Sequence, residues 1–380
     1  MNMAEISAVL KEKNCDAYVI YDTSDNEDMR YLSGFLATDP FIYVYKKDGG
    51  EFLIVSSMEE LRARRESPCS IVTRNAAGFA EFLKETGDAD AAYAKMISEF
   101  CGNRLLVPYS MPVGFARALE KINEISVDTD TVLSMRAKKT ADEIEKIRAV
   151  QKKNERGVSL AVDAVRKADV AEDGGLFLED EPLTSEKLRA IMHEAFFRMG
   201  LDDKDTIASC GADTALPHAK GEGQLFANQP IVLDVFPRDI ETGYFADMTR
   251  TISKGKPSDE ICRMYEVVHE AKELAVSLIR AGVSGAEVHN AAADYFTKEG
   301  YVTAGTSGFI HSLGHGVGLA IHESPSLSVR GGVLEEGNVV TVEPGLYYPG
   351  IGGVRLEDMG VVTEDGFDRF TTFEEELIVV

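Results

Sequence analysis

Four carboxylates in this chain interrupt short apolar segments of the kind that form buried strands. Asp234 lies in IVLDVF and Asp247 in GYFADMTRT, while Glu343 lies in NVVTVEPG and Glu357 in GGVRLED. Because an ionised carboxylate is costly to bury unless it is paired, protonated or bound to a metal, each of these acids needs a partner. Any one of them alone is more typical of a surface or turn residue, but the joint pattern of all four predicts a cation site.

The spacing of the acids indicates two hairpins that bring the carboxylates together. The segment FPRDIETG, residues 236–243, carries the proline, aspartate and glycine of a strand connection. Asp234 and Asp247 can therefore share one face of a strand pair. Because side chains alternate across a strand, Glu343 and Glu357 can also point inwards from their own strands. Each predicted hairpin thus carries two acids that can face one site.

The histidines that are not in helical patterns add nitrogen ligands. HSLGHGVGLAIHESP contains His311, His315 and His322, and ASCGADTALPHAKGEG contains His218. A phosphate-binding glycine loop requires a following helix, which this segment lacks, and interior glycines would each cost a helix about 1 kcal/mol. We therefore predict an extended conformation and four candidate site histidines. The remaining histidines lie in helical patterns and are interpreted as structural: His193, His269 and His289.

Four carboxylates with one or more imidazoles suit a pair of divalent cations. Oxygen ligands with a single nitrogen favour Mn²⁺ or Co²⁺, and Zn²⁺ and Fe²⁺ are the alternatives. Two ions about 3.5–4 Å apart can bridge one water, lower its pKa and hold it for attack on a carbonyl. The residues alone therefore indicate metal-assisted hydrolysis.

Two regions of different pattern must position these residues. Residues 1–135 contain short β-rich runs and helical patterns, which predicts an α/β domain. Residues 136–380 open on a long amphipathic helix, for which Thr140 and Glu143 form a capping box. Strand pairs and helices follow, which predicts an α+β domain of antiparallel sheet covered by helices. The acidic segment 169–185 is predicted to be a loop or a short insertion.

The individual elements are predicted from apolar periodicity and from cap and turn residues. In the first region the predicted strands are 16–22, 40–46 and 51–57, with a helix at 78–86. In the second region the predicted helices are 136–168, 185–200, 258–282 and 284–300, and the predicted strands are 229–236, 243–252, 338–345 and 352–362.

The composition limits the class of partner. A net charge of −24 and a pI of about 4.7 repel nucleic acid and anionic lipid, so neither nucleic acid nor a membrane is expected as a partner. No apolar stretch is long enough to span a bilayer, and the N-terminal sequence lacks the pattern of a signal peptide, which predicts a cytoplasmic protein. The five cysteines are scattered without a CxxC pair, so structural zinc is not expected.

The motifs that carry these residues resemble those of the pita-bread metallopeptidases, which include prolidase (Xaa-Pro dipeptidase), aminopeptidase P and methionine aminopeptidase. The matching segments are LPH, LDVF with GYFADMTRT, HSLGHGVGLAIHE, TVEPG and GGVRLED, in that order. The resemblance implies a pita-bread catalytic domain over residues 136–380. MRYLSGF at 29–35 resembles a segment of the creatinase/prolidase N-terminal domain, which implies that smaller domain over residues 1–135.

The resemblance implies a metal ligand set. Asp234 would chelate one metal, and Asp247 and Glu357 would bridge both. His315 would be the only nitrogen ligand, on the second metal. Glu343 would join it there and shuttle the proton of the bridging water.

The resemblance also implies residues that contact the substrate. His218 and His322 would contact the peptide and stabilise the tetrahedral intermediate. His311 and Arg355 would help to hold the substrate on the proline side or orient the ligands. These assignments extend the candidate site beyond the metal ligands themselves.

One spacing departs from the family pattern. The family usually has two fewer residues between its paired aspartates, which here stand thirteen positions apart, at Asp234 and Asp247. An extension by two lengthens a hairpin by one cross-strand pair without turning either aspartate to the other face. We therefore retain Asp234, and Asp239 on the connection is the alternative.

Hydrolysis of Xaa-Pro bonds is the function that the resemblance implies, with dipeptides as the first choice of substrate. Aminopeptidase P activity on longer peptides is one alternative, and a non-catalytic peptide- or protein-binding member of the fold is the other. Methionine aminopeptidases generally lack an N-terminal domain of this size, and creatinase lacks the full metal set. The expected partners are a peptide with proline at its second position and, by the same resemblance, a second subunit in a homodimer.

Overall fold

The computed structural model describes residues 3–379, and their contacts divide the chain into two units. The first unit ends at Arg136 and the second begins at Ala137. All the candidate site residues named above lie in the second unit. The two units are described separately.

The first unit is built on a mixed sheet of short strands. Its strands are β1 (Ala17–Asp22), β2 (Phe41–Lys46), β3 (Glu51–Val55), β4 (Ser70–Thr73), β5 (Arg104–Pro108) and β6 (Glu124–Asp128). They lie in the order β4-β3-β2-β1-β5-β6. The β1–β2 and β2–β3 pairs are antiparallel and the others are parallel. The helices are α1 (Ala4–Glu12), α2 (Glu27–Ser33), α3 (Glu60–Glu66), α4 (Phe79–Thr86), α5 (Ala89–Cys101), α6 (Val113–Glu120) and α7 (Thr131–Ala137).

The central strands of this sheet are buried on both faces. In β1, Tyr18 and Ile20 belong to one apolar cluster, and Ala17 and Val19 to another. A strand covered on both sides is nearly continuously apolar rather than alternating, which accounts for the run DAYVIYD. The α/β class and the three strands predicted in this region are confirmed.

Helices α8 to α11 of the second unit begin at polar caps. They are α8 (Ala141–Lys167), α9 (Ser185–Arg198), α10 (Asp259–Leu278) and α11 (Gly285–Lys298). The capping box of Thr140 and Glu143 is confirmed. The prediction that α10 extends to Gly282 is wrong: Ile279 is already extended and lies buried in the core. Among the described residues, no helix is long and apolar enough to cross a membrane.

The strands of the second unit form two larger sheets and several small ones. The strands are β7 (Asp169–Val170), β8 (Leu176–Leu178), β9 (Glu181–Pro182), β10 (Leu201–Asp202), β11 (Ile207–Cys210), β12 (Ile231–Val235), β13 (Arg238–Asp239), β14 (Met248–Lys254), β15 (Gly314–Gly316), β16 (Glu323–Leu327), β17 (Val339–Val342), β18 (Gly345–Tyr348), β19 (Gly352–Arg355), β20 (Asp358–Val362), β21 (Phe367–Arg369) and β22 (Ile378–Val379). The larger sheets have the orders β11-β12-β14-β22 and β16-β15-β17-β20-β21. Pairing is antiparallel except between β14 and β22. The predicted α+β class is confirmed.

The acidic segment 169–185, predicted to be a loop or a short insertion, has regular structure. It forms the small antiparallel sheet β7-β8-β9. Glu179 and Asp180 have φ of 55° and 63°, which suits a tight two-residue turn between β8 and β9. Sequence analysis misses these strands because Leu176 is their one buried residue among those described, and because the turn lacks the usual Asn-Gly or Asp-Gly pair.

Candidate metal centre

The first two acids lie on one hairpin, formed by β12 and β14. Asp234 stands opposite Thr249, and a bridge between Arg238 and Phe245 continues the pairing towards the turn. Asp247 directly precedes β14, two positions from Thr249, so strand alternation puts it on the face of Asp234. The extended connection therefore leaves both aspartates on one side of the hairpin.

Asp239, the alternative to Asp234, lies at the turn end of this hairpin. Its carboxylate accepts hydrogen bonds from the Lys153 ammonium at 2.7 Å and from the Thr242 backbone N–H and hydroxyl. Burial opposes ionisation, but these donors lower the pKa of Asp239. The charge of Asp239 is already balanced by these donors, and the residue is absent from the described wall of the cavity below. Asp239 therefore stabilises the turn of the hairpin.

The other two acids stand opposite each other where a hairpin ladder is interrupted. The β17–β20 and β18–β19 pairs keep one continuous register. In that register, Glu343 faces Glu357 across the gap between the two ladders. Pro344, which has no N–H to donate, lies in the same gap. The prediction that both glutamates lie within continuous strands, 338–345 and 352–362, is wrong: each strand is broken at its glutamate, and the two side chains face each other in the gap.

His315 occupies the centre of β15, with neighbouring strands at very close range. A Cβ atom on Gly314 would stand 2.1 Å from the carbonyl oxygen of Thr341, and one on Gly316 would stand 2.4 Å from that of Ser324. Such distances exclude any side chain at the two glycines. The extended conformation predicted for this segment is confirmed, and its glycines serve the close approach of strands around His315.

One cavity of about 490 Å³ collects the candidate residues of both hairpins and of the histidine segments. Asp247 and Glu357 are buried in it, whereas His218 and His322 are exposed. The acids therefore form its inner wall and two histidines stand at its open side. The predicted site residues that line the cavity are His218, Asp234, Asp247, His311, His315, His322, Glu343, Arg355 and Glu357.

The potential ligand atoms converge in a small volume of the cavity. His315 Nε2 lies 3.3 Å from Glu343 Oε1 and 3.6 Å from Asp247 Oδ2. The Thr249 hydroxyl donates to Glu357 Oε2 at 2.8 Å. Asp247, His315 and Glu357 each offer a ligand atom within 4.8 Å of the others. This spacing is compact enough for the three side chains to bind a common ion.

Burial and neighbouring charges divide these groups into two pairs. Burial, and then repulsion from nearby carboxylates, raises the pKa of Asp247 and of Glu357 well above the usual range. Burial opposes the charged form of His315, but the hydrogen bond and charge of Glu343 raise its pKa to about 9. Burial also opposes ionisation of Glu343, yet His315 lowers its pKa. Glu343 is thus balanced by His315, while Asp247 and Glu357 remain under net repulsion.

The donor set fits divalent cations. Glu357 Oε1 is buried and, among the described atoms, has no hydrogen-bond partner, as expected of an oxygen directed at a metal. Carboxylate oxygens combined with one imidazole nitrogen are the ligand types of Mn²⁺, Co²⁺, Zn²⁺ and Fe²⁺. A cation would also relieve the repulsion between Asp247 and Glu357.

Asp234 and His311 are joined by a buried chain of hydrogen bonds. The Arg355 guanidinium donates to Asp234 Oδ2 at 2.6 Å and to the Tyr347 hydroxyl at 2.6 Å. The Tyr347 hydroxyl lies 3.0 Å from His311 Nε2. A third guanidinium contact goes from Nε to the Thr249 hydroxyl at 3.2 Å. Arg355 is therefore held against the site by several partners at once.

Sequence analysis misses three residues that support the site. Thr249 and Tyr347 make the contacts just described, and the side-chain oxygen of Gln151 on α8 accepts from the Asp247 backbone N–H at 3.3 Å. Thr249 stands two positions after Asp247, so strand alternation is the signal that could have identified it. Gln151 and Tyr347 carry no such signal, because the contacts of Gln151 with Asp247 and of Tyr347 with His311 join segments distant in the chain.

Two family models match this chain. The model described as metallopeptidase family M24 matches residues 145–364, and the model of the creatinase/prolidase N-terminal domain matches residues 3–150. A curated relative, an Xaa-Pro dipeptidase of Lactobacillus helveticus, is 36% identical over 249 residues. That alignment covers 65% of this chain and 63% of the relative, which is less than two thirds of the relative's length.

Solved structures agree with these matches over nearly the whole chain. An Xaa-Pro dipeptidase from Bacillus anthracis superposes with a TM-score of 0.84 at 27% identity and covers 100% of this chain and 99% of that one. An X-Pro aminopeptidase from Thermotoga maritima MSB8 gives a TM-score of 0.82 at 28% identity, with coverage of 99% and 100%. The predicted pita-bread resemblance is confirmed. Because the M24 match spans more than half of the chain and includes every candidate site residue, this protein belongs to metallopeptidase family M24 and carries a creatinase/prolidase N-terminal domain.

Proposed function

We propose that this metallopeptidase hydrolyses Xaa-Pro peptide bonds, that dipeptides are its preferred substrates, and that two divalent ions are its cofactors. The observation that carries the proposal is the convergence of Asp247, His315 and Glu357 within 4.8 Å in one cavity. Asp234 and Glu343 line the same cavity. The five side chains provide the ligand types that a dinuclear hydrolase requires.

We assign the five side chains as metal ligands. Asp234 would chelate one ion, and Asp247 and Glu357 would bridge the two. His315 and Glu343 would complete the second position, and Mn²⁺ or Co²⁺ suits this set best. When bound, the ions supply an activated water and polarise the scissile carbonyl.

Glu343 is placed to move a proton during hydrolysis. Its Oε1 atom lies 3.3 Å from His315 Nε2, and its side chain forms part of the cavity wall. A carboxylate there can accept a proton from the attacking water and deliver it to the departing proline nitrogen. We therefore assign Glu343 as the general base and then the general acid.

The histidines at the open side are assigned to the peptide. His218 and His322 are exposed in the cavity wall, where their ring N–H groups can donate to the carbonyl oxygen as its negative charge develops. His311 would contact the proline side. Arg355 would act mainly by orienting Asp234 and, through Tyr347, His311, since these contacts occupy its guanidinium.

The preference for dipeptides is supported by the relatives. The Lactobacillus helveticus protein and the Bacillus anthracis structure are both named Xaa-Pro dipeptidases. The Thermotoga maritima structure is named an X-Pro aminopeptidase, so cleavage of longer peptides is the alternative activity. A binding protein without turnover is the further alternative.

Release of the N-terminal alanine from Ala-Pro and from Ala-Pro-Ala, measured with Mn²⁺ and with metal content determined on the same sample, tests the proposal. We expect release from Ala-Pro, loss of that activity in Asp247→Ala and His315→Ala, and normal activity in the control Asp294→Ala, exposed on α11 and absent from the described cavity wall. Preference for Ala-Pro-Ala would favour the aminopeptidase. Peptide binding without release, with both metal positions filled, would favour the binding protein.

We further propose a cytoplasmic homodimer. The cysteines are free, and Cys15, Cys69 and Cys101 are buried, which suits a reducing compartment. The dimer rests on the family resemblance. Light scattering of the purified protein should give twice the chain mass of 41.5 kDa; a monomeric mass would remove that part of the proposal.

A further inference from the structure

We infer that Arg250 is a positioning residue of the metal centre, which fixes the Glu357 backbone to the strand that follows Asp247. The inference rests on the proposed metal site, because it concerns how two of its ligands are held. Arg250 lies in β14 and its side chain is 2% exposed. It is absent from the described cavity wall, so it acts through other residues.

Each N–H of the Arg250 guanidinium has an acceptor. One terminal nitrogen donates to the carbonyl oxygens of Glu357 at 2.6 Å and Thr249 at 3.0 Å. The other donates to Asp358 Oδ1 at 2.9 Å and to the carbonyl oxygen of Phe373 at 2.9 Å. Nε donates to the carbonyl oxygen of Glu374 at 3.1 Å. The five N–H groups of the fork are therefore satisfied.

These acceptors come from three segments, two of which carry proposed metal ligands. Thr249 belongs to the strand that follows Asp247, and its hydroxyl also donates to the Glu357 carboxylate. Glu357 supplies a proposed bridging ligand. Phe373 and Glu374 belong to a segment near the end of the described chain. Arg250 therefore fixes the separation of two ligand-bearing backbones from behind the site.

The burial of Arg250 is supported by a wider ion-pair network. Asp358, fully buried, also contacts Lys272 and Arg369. Lys272, fully buried on α10, contacts Glu375 as well. A buried charge is tolerated only with partners and hydrogen bonds, and this network provides both. The guanidinium is thus held in one place and can itself fix the distance between the backbones of Thr249 and Glu357.

Lysine cannot replace Arg250 in this role, although it keeps the charge. An ammonium is a point charge with three donors, whereas the planar guanidinium offers five donors in fixed directions. In Arg250→Lys, the carbonyl oxygens of Glu357 and Thr249 cannot be held together with those of Phe373 and Glu374. The ligands would then be free to shift against each other.

Mn²⁺ titration of the metal-stripped full-length protein by calorimetry tests the inference. Arg250→Lys should weaken Mn²⁺ binding about 10- to 100-fold, the usual effect of removing a group that orients metal ligands. Arg166→Lys is the matched control. Arg166 contacts the Glu374 carboxylate at 3.1 Å, and among the described residues it makes no hydrogen bond to a proposed metal ligand. The control should bind Mn²⁺ within twofold of the unsubstituted protein.

A merely structural role would give a different result. Arg250→Lys would then lower the thermal unfolding midpoint and leave the Mn²⁺ affinity unchanged, which would overturn the inference. If Arg250→Lys does not fold, Asp358→Asn decides: a Mn²⁺ affinity at least fivefold weaker supports the role, and an unchanged affinity overturns it. Absence of Mn²⁺ binding by the unsubstituted protein would instead refute the proposed metal site.

Discussion

At the scale of single residues, the charge balance around the cavity distinguishes ligands that are otherwise alike. His315 and Glu343 form a pair of opposite charge, whereas burial, and then repulsion from nearby carboxylates, raises the pKa of Asp247 and of Glu357. Two like charges about 4 Å apart interact by about 4 kcal/mol at an effective dielectric constant of 20. Without a cation, ionisation of these two buried carboxylates is therefore unfavourable, and a bound cation would remove that penalty.

Glu357→Gln should have opposite effects on stability and on activity. The amide keeps an acceptor for the Thr249 hydroxyl but removes a buried carboxyl whose raised pKa opposes folding at neutral pH. In metal-stripped protein the thermal midpoint should rise by about 2–4 °C, which corresponds to about 1 kcal/mol for a unit of this size. Proline release with Mn²⁺ should be lost. Scanning calorimetry with chelator checks the first effect, with exposed Glu336→Gln as the control; a lowered midpoint would contradict the repulsion.

Tyr347→Phe should reduce activity without loss of metal. The hydroxyl links Arg355 to His311, and a hydrogen bond to a charged group contributes about 1.5–3 kcal/mol, so kcat/KM for Ala-Pro should fall about 10- to 150-fold. Tyr348→Phe is the control, because its hydroxyl makes only a long contact, 3.4 Å, to the carbonyl of Val302. Equal rates for both variants would show that the chain of hydrogen bonds has no part in catalysis.

At the scale of elements, close strand approach is what fixes His315. The glycines on either side of it leave no room for a Cβ atom. The strand β15 can therefore lie deep between its neighbours only with this sequence. The GHG motif is explained by packing of the backbone rather than by flexibility.

Gly314→Ala should destabilise the protein and weaken metal binding together. The new Cβ atom would stand 2.1 Å from a backbone oxygen, so β15 must move, at a cost of about 1–3 kcal/mol. Gly332→Ala is the control, because a Cβ atom there meets nothing within 4 Å. Urea unfolding and Mn²⁺ titration measure the two effects. Metal affinity equal to that of the control would mean that His315 does not depend on the position of β15.

Much of the arrangement of elements follows from the sequence, and the reasons are local. Alternation and turn residues predict the two hairpins, and a capping box predicts the start of α8, because these signals act over a few residues. The opposition of Glu343 and Glu357 depends on register across a turn, which composition does not specify. The positioning role of Arg250 depends on hydrogen bonds to backbone carbonyl oxygens, and a sequence does not indicate which carbonyl oxygens a side chain will contact.

At the scale of the whole molecule, charge and metal binding are connected. The chain has a net charge of −24, so its field favours the approach of cations over that of anions. The proposed ligands all lie in the second unit, between Asp234 and Glu357. The effect of a bound ion on stability should therefore be confined to that unit.

Removal of metal should lower the unfolding temperature of the second unit. Free Mn²⁺ at 100 times its dissociation constant stabilises a folded site by about 2.7 kcal/mol, and chelation removes that contribution. Calorimetry with Mn²⁺ and with chelator measures the difference. Asp247→Ala provides the control, since it should unfold at nearly the same temperature under both conditions. A difference that persists in this variant would place the responsible ion elsewhere.

The shape of the cavity has a consequence for the lifetime of the bound ions. The ligands line its inner wall, and the exposed His218 and His322 stand at its open side. An ion that leaves through this opening must pass the place that a peptide occupies during hydrolysis. A bound substrate or inhibitor should therefore block this opening and slow the exchange of metal ions with the solution while it remains bound.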